Sequence, residues 1–95
     1  MLIVEKDIEA FLKRRVEHEG GRCIKLPALF EEGIPDRLVI LPGGKIAFVE
    51  LKRPKGGRLS PMQEYQIDKL MDLGCMVRIV RNYEDVDDLL EEMKC

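Results

Sequence analysis

Three side chains in the stretch "GIPDRLVILPGGKIAFVELKRP", residues 33–54, have types and spacing that could do chemistry: Asp36, Glu50 and Lys52. Successive side chains of a strand alternate between its faces, so Glu50 and Lys52 project together while Leu51 points the other way. A strand that is otherwise apolar through Val49 has no packing reason to end in two opposite charges on one face. If Asp36 converges on Glu50, two carboxylates with a backbone carbonyl and waters make an oxygen-rich site suited to Mg²⁺ or Mn²⁺. Such a cation lowers the pKa of a bound water and stabilises the charge growing on a phosphodiester oxygen, while a lysine orients the nucleophile or neutralises the transition state. Convergence depends on register. A symmetrical turn centred on Gly43-Gly44 pairs Asp36 with Leu51, on the wrong face, whereas a one-residue bulge or an odd loop brings it round to Glu50. The competing reading is structural, with Glu50 bridged to Lys52, or Asp36 to Arg37, on a charge-protected sheet edge.

The elements that position these residues follow from periodicity and caps. Ile8, Phe11, Leu12 and Val16 recur at helical spacing over residues 5–19, and Gly20-Gly21 ends that helix. "RCIKL" predicts a short strand, "PALFEEGIP" a loop bounded by prolines, and residues 37–41 and 45–52 a hairpin around "PGG". "RPKGGRL" is a basic, glycine-rich loop expected to be exposed and mobile. Ser60 caps the next helix, with Pro61 at its first position and Gln63 completing a capping box. Ile67, Leu70 and Met71 continue it to Gly74. "CMVRIV" is a fourth strand, and Asn82 caps an amphipathic helix carrying Val86, Leu89, Leu90 and Met93. The order helix, three strands, helix, strand, helix implies an α/β fold with a mixed sheet, because the crossover helix joins parallel strands.

With 95 residues the chain is expected to form a single domain, 1–95, and its composition of 45% hydrophobic and 36% charged residues is that of a globular protein. No apolar run is long enough for a membrane span, and "MLIVEKDIEAFLKRR" breaks its apolar start with charge after three residues, so a cytoplasmic location is expected. Cys23, Cys75 and Cys95 with the lone His18 form no zinc pattern and read as unpaired thiols. The net charge of −2 argues against indiscriminate coating of nucleic acid, but charge is unevenly spread. Residues 45–58 carry Lys45, Lys52, Arg53, Lys55 and Arg58 against Glu50, while residues 84–95 are strongly acidic. The basic stretch could meet phosphates; both stretches could equally be ordinary solvated faces.

"IPD" followed fourteen residues later by "ELK" resembles the PD-(D/E)xK nuclease signature, and "GIPDRLVILPGGKIAFVELKRPKGGRLSPMQ" resembles its VRR-Nuc branch. "EKDIEAFL" is similar to that family's opening helix and "GGRCIKL" to its first strand, so the likeness runs from Glu5 to about Val80. The resemblance implies an αβββαβ restriction-endonuclease-like core, here followed by a C-terminal helix, and metal-dependent phosphodiester cleavage. Carried over by position, Asp36 and Glu50 match the metal-binding acids, with the Leu51 carbonyl as a further ligand, and Lys52 matches the catalytic lysine. Glu5 matches the helical glutamate that completes the site. Glu9, one turn along the same face, is the alternative to it. Gln63 matches the family glutamine near the site, a role compatible with capping. Lys25 and Arg37 are candidates for phosphate contact alongside Arg53, Lys55 and Arg58, with plain surface charge as the competing reading.

The resemblance further implies DNA as substrate, structured or branched, including four-way (Holliday) junctions or flaps, in replication and repair or in phage genome processing in a bacterial cell. One metal site cuts one strand, so symmetric cutting of a junction implies a homodimer. Phe11, Val16, Leu73 and Met76 are apolar positions available for such an interface. The alternative function is a catalytically inactive nucleic-acid-binding module that holds phosphates through residues 53–58. The intact acid, acid and lysine set speaks against it, because unneutralised carboxylates repel phosphates. A small α/β protein with a charged sheet edge and a protein partner is a third reading.

Overall fold

The computed structural model describes residues 2–27, 29 and 31–95. Along the chain it forms α1 (Glu5–His18), β1 (Arg22–Lys25), β2 (Arg37–Leu41), β3 (Lys45–Leu51), α2 (Pro61–Asp72), β4 (Met76–Val80) and α3 (Tyr83–Lys94). The order is that expected from the sequence. The predicted strands at 22–26, 45–52 and 75–80 each run one residue longer than the observed ones; within the predicted loop at 27–35, residues 28 and 30 lie outside the described residues.

The four strands lie side by side in sequence order, with β1, β2 and β3 antiparallel and β4 parallel to β3. The α2 crossover permits that parallel pairing. Strand alternation divides the sheet into two faces. Val39, Leu41, Ala47, Val49, Leu51 and Val80 pack with Ile8, Leu12 and Val16 of α1 and Val86, Leu89, Leu90 and Met93 of α3 in one buried core. The opposite face, carrying Phe48, Glu50 and Val77, is approached by α2, whose Ile67 is buried and whose Gln63 reaches Glu50.

Local signals explain the helix boundaries. Ser60 Oγ accepts from Gln63 N–H at 3.1 Å while Gln63 Oε1 accepts from Ser60 N–H at 2.9 Å, completing the capping box. Asn82 Oδ1 accepts from Asp85 N–H at 2.7 Å. The N-cap of α1 is Val4, whose side chain has no acceptor to offer; Asp7 Oδ2 instead accepts from the Val4 N–H at 3.0 Å. Val16, entertained above as an interface position, is fully buried because it closes the α1 core stripe. Phe11 and Met76 are half-buried against the core, and Phe11 packs on Tyr83 with ring centroids 4.7 Å apart. Leu73 remains 81% exposed. The cysteines are unpaired, as expected.

Candidate active site

The turn decides where the acids meet. Leu41 pairs with Lys45, so Pro42, Gly43 and Gly44 form a three-residue loop, an odd length that Gly43 (φ +90°) and Gly44 (φ +73°) make accessible. Arg37 then pairs with Val49, and continuing the register by one residue sets Asp36 against Glu50 rather than Leu51. The bond pattern fits: Asp36 Oδ1 accepts from the Leu51 N–H at 3.1 Å, and the Asp36 carbonyl accepts from the Leu26 N–H at 2.8 Å. Both ends of Asp36 are therefore held.

Glu50 is 3% exposed and does not stand alone. Lys52 Nζ lies 3.3 Å from Glu50 Oε2, and Gln63 Nε2 donates to the same oxygen at 3.0 Å. Gln63 Oε1 accepts from Lys52 Nζ at 3.1 Å while it also accepts from Ser60 N–H. One glutamine thus caps α2 and fixes the acid and lysine of β3, so the two roles read from the sequence coexist. Burial pushes the Glu50 carboxyl above its ordinary range, and the Asp36 charge adds to the shift against the opposing pull of Lys52. Burial likewise raises Asp36, with the Leu51 N–H and Arg37 opposing and Glu5 reinforcing. Two neighbouring carboxylates that both resist ionisation form a donor set that a hard cation would relieve.

Asp36, Glu50 and Gln63 open on a cavity of about 330 Å³ walled also by Glu5, Glu9, Lys25 and Arg37, with backbone and apolar groups from residues 26–27 and 33–34. Glu5 and Glu9 line it from α1 and Gln63 from the first turn of α2. Among the described residues no three His, Cys, Asp or Glu side chains are gathered closely enough to form a ready-made cation cage. The acids are the half-buried Asp36 and the buried Glu50, with Glu5 on the wall. Glu9, the alternative to Glu5, is bonded to the Arg37 guanidinium.

Arg37 departs from its expected role as a phosphate contact. Its side chain is 6% exposed, ion-paired with Glu9, and its Nη1 donates to the Asp36 carbonyl at 2.9 Å. A buried guanidinium needs such partners to offset its desolvation, so it is turned inward. Lys25, by contrast, is exposed on the cavity wall. Arg53, Lys55 and Arg58 are exposed, as expected, but their loop is not a free tether: Arg81 Nη1 donates to the Gly57 carbonyl and Arg53 Nη2 to the Gly56 carbonyl.

Two supports escaped the sequence reading. Arg81 reaches the loop from the end of β4. Gln66, one turn after Gln63, pins the segment just before the wall residues Gly33 and Ile34 through Nε2 to Glu31 Oε1 at 3.1 Å and to the Glu32 carbonyl at 3.0 Å. The i, i+3 spacing of Gln63 and Gln66 was a visible signal that both could face the same end of the sheet; nothing local marked Arg81.

A three-stranded antiparallel unit with a parallel fourth strand, and an acid, acid and lysine at the β2–β3 end, is the architecture of a PD-(D/E)xK nuclease. Residues 5–82 match the model of the VRR-NUC domain family, and the chain belongs to that family. It is 42% identical over 89 residues to "Putative nuclease p44" of Acyrthosiphon pisum secondary endosymbiont phage 1, an alignment covering 94% of each chain. A solved structure of a VRR_NUC domain superposes with a TM-score of 0.84 at 36% identity, covering 92% of this chain and 94% of that one. No helix among the described residues is long and apolar enough to cross a membrane.

Proposed function

We propose that the chain, read as one domain over residues 1–95, is a Mg²⁺- or Mn²⁺-dependent endonuclease that hydrolyses phosphodiester bonds in structured or branched DNA. The observation that carries this reading is the buried Glu50 carboxylate, held by Lys52 and Gln63 and set against Asp36 in an open cavity. Asp36 and Glu50 would hold the cation, with Glu5 completing the set from the wall. The Leu51 carbonyl would join them, because strand geometry directs it to the same side as the N–H that meets Asp36. When bound, the cation supplies Lewis-acid stabilisation of the phosphate and a lowered pKa for water. Lys52, kept in place by Gln63, supplies the positive charge that offsets the developing phosphorane charge and orients the nucleophile. Lys25 on the wall and Arg53, Lys55 and Arg58 on the neighbouring loop receive flanking phosphates.

The nuclease name of the phage relative and the family likeness support DNA as substrate, with action in a bacterial or phage-infected cytoplasm in replication, repair or genome processing. Coordinated cutting of a four-way junction requires two chains, and the exposed Leu73 is available to such a homodimer. Light scattering would then give about 22 kDa, twice the 11.0 kDa chain. The decisive experiment incubates the protein with a labelled junction, flap, plain duplex and single strand in Mg²⁺, Mn²⁺ or EDTA. Cleavage of the junction or flap that EDTA abolishes supports the proposal. Salt-sensitive binding without cleavage under any metal would make the chain a binding module, and cleavage that EDTA leaves intact would remove the cation.

A further inference from the structure

The Glu9–Arg37 pair joins elements 28 residues apart in sequence and lies outside the acid, acid and lysine set. Its chemistry on the page is that of a link between helix and strand. Arg37 is 5% exposed, yet Glu9 is nearly half exposed, so the pair buries the cation while its anion reaches in from the rim. Through Nη1 the same guanidinium grips the Asp36 carbonyl. One buried side chain therefore ties α1 to the backbone that carries Asp36.

The need for such a tie is visible in α1. Its N-cap is a valine, and its core contacts begin at Ile8, one turn into the helix. Glu5, the first helical residue, is exposed and lies ahead of those contacts. Apolar packing at Ile8, Leu12 and Val16 tolerates small rotations and slides, since hydrophobic contact is non-directional. An ion pair at Glu9, four residues after Glu5 and on the same face, does not. Glu5 lines the same cavity as Asp36 and Glu50.

We infer that Arg37 and Glu9 are positioning residues whose ion pair sets the rotation of α1 that presents Glu5 to the Asp36–Glu50 carboxylates. The inference rests on the proposed cation site and adds that the helical acid reaches it only through this clamp. Glu9 acts through Arg37 and is not itself a ligand.

Mn²⁺ titration by calorimetry, without DNA, tests the clamp on wild type, Glu5→Gln, Glu9→Ala, Glu9→Gln and the double variant Glu5→Gln/Glu9→Ala. Glu5→Gln and Glu9→Ala should each weaken Mn²⁺ binding by about tenfold, the lower end for loss of a group supporting a metal ligand. The double variant should bind no more weakly than Glu5→Gln, because the clamp has nothing left to position. Glu9→Gln keeps an acceptor for Arg37 and the fold, and should restore most of the affinity lost in Glu9→Ala. Equal binding by Glu9→Ala and wild type overturns the clamp while leaving the cation site standing. So does a double variant weakened about a hundredfold, or a Glu9→Gln as weak as Glu9→Ala, since either makes Glu9 an independent ligand. If Glu9→Ala does not fold, Glu9→Gln decides alone: affinity within about threefold of wild type supports the clamp, and a tenfold loss overturns it. A wild type that takes up no Mn²⁺ overturns the cation site and the clamp with it.

Discussion

Asp36→Asn should make the protein more stable and inactive at once. The amide keeps an Oδ1 to accept the Leu51 N–H and occupies the same volume, so packing is preserved. What changes is charge. Burial and the nearby Glu5 raise the Asp36 carboxyl above its ordinary range despite the Leu51 N–H and Arg37, which means that folding disfavours its ionised form. The sign follows from linkage: above the folded-state pKa the wild type carries a penalty that asparagine lacks, and the penalty disappears as pH falls through that pKa and the carboxyl protonates. Glu50, raised in part by Asp36, is relieved by the same change. The side chain is 31% exposed, so solvent screens part of the repulsion. A gain of about 1 kcal/mol is expected, within the range for relieving a strained site, or roughly 4–8 °C in Tm for a domain of this size. The assay is thermal unfolding in EDTA from pH 7.5 downwards. The two melting curves should converge in acid. Adding Mn²⁺ at 100 times its Kd should stabilise the wild type by about 2.7 kcal/mol and leave Asp36→Asn nearly unmoved. A less stable Asp36→Asn at neutral pH in EDTA would refute the reasoning and make Asp36 an ordinary structural ion-pair partner of Arg37.

Lys52→Ala should lower the cleavage rate by about 100- to 1,000-fold while Mn²⁺ affinity holds, because its charge acts on the phosphate; equal loss of affinity and rate in calorimetry and gel assays would assign it a structural role. Replacing Arg53, Lys55 and Arg58 together by glutamine should flatten the slope of log affinity against log salt by up to about 2.7, at about 0.9 per phosphate contact, measured by fluorescence anisotropy on duplex DNA. Gly74→Ala meets open space and pays only the left-handed backbone cost of roughly 1–2 kcal/mol. Gly33→Ala should lose visibly more in urea denaturation, because at φ +81° a Cβ would come within 2.6 Å of the Met62 carbonyl oxygen.

Much of this protein is written locally. The α3 stripe of Val86, Leu89, Leu90 and Met93, the Asn82 cap and the Ser60–Gln63 box each lie within a few residues of sequence, and the structure forms all of them. Strand alternation alone put Glu50 and Lys52 on one face, since the pleat has a period of two whatever the neighbours are. The meeting of Asp36 with Glu50 was not settled that way. Sequence left two registers open, and the φ angles of Gly43 and Gly44 in a three-residue loop chose between them. Nor could local pattern assign Arg37. Beside an aspartate in a strand it resembles any exposed base, and only the arrival of Glu9 from a helix 28 residues away turns it into a buried tie. The Arg81 hold on Gly57 is decided likewise, across 24 residues. Caps and periodicities cost little chain entropy and are encoded where they act; the pairing of distant charges depends on which surfaces the packed core brings together.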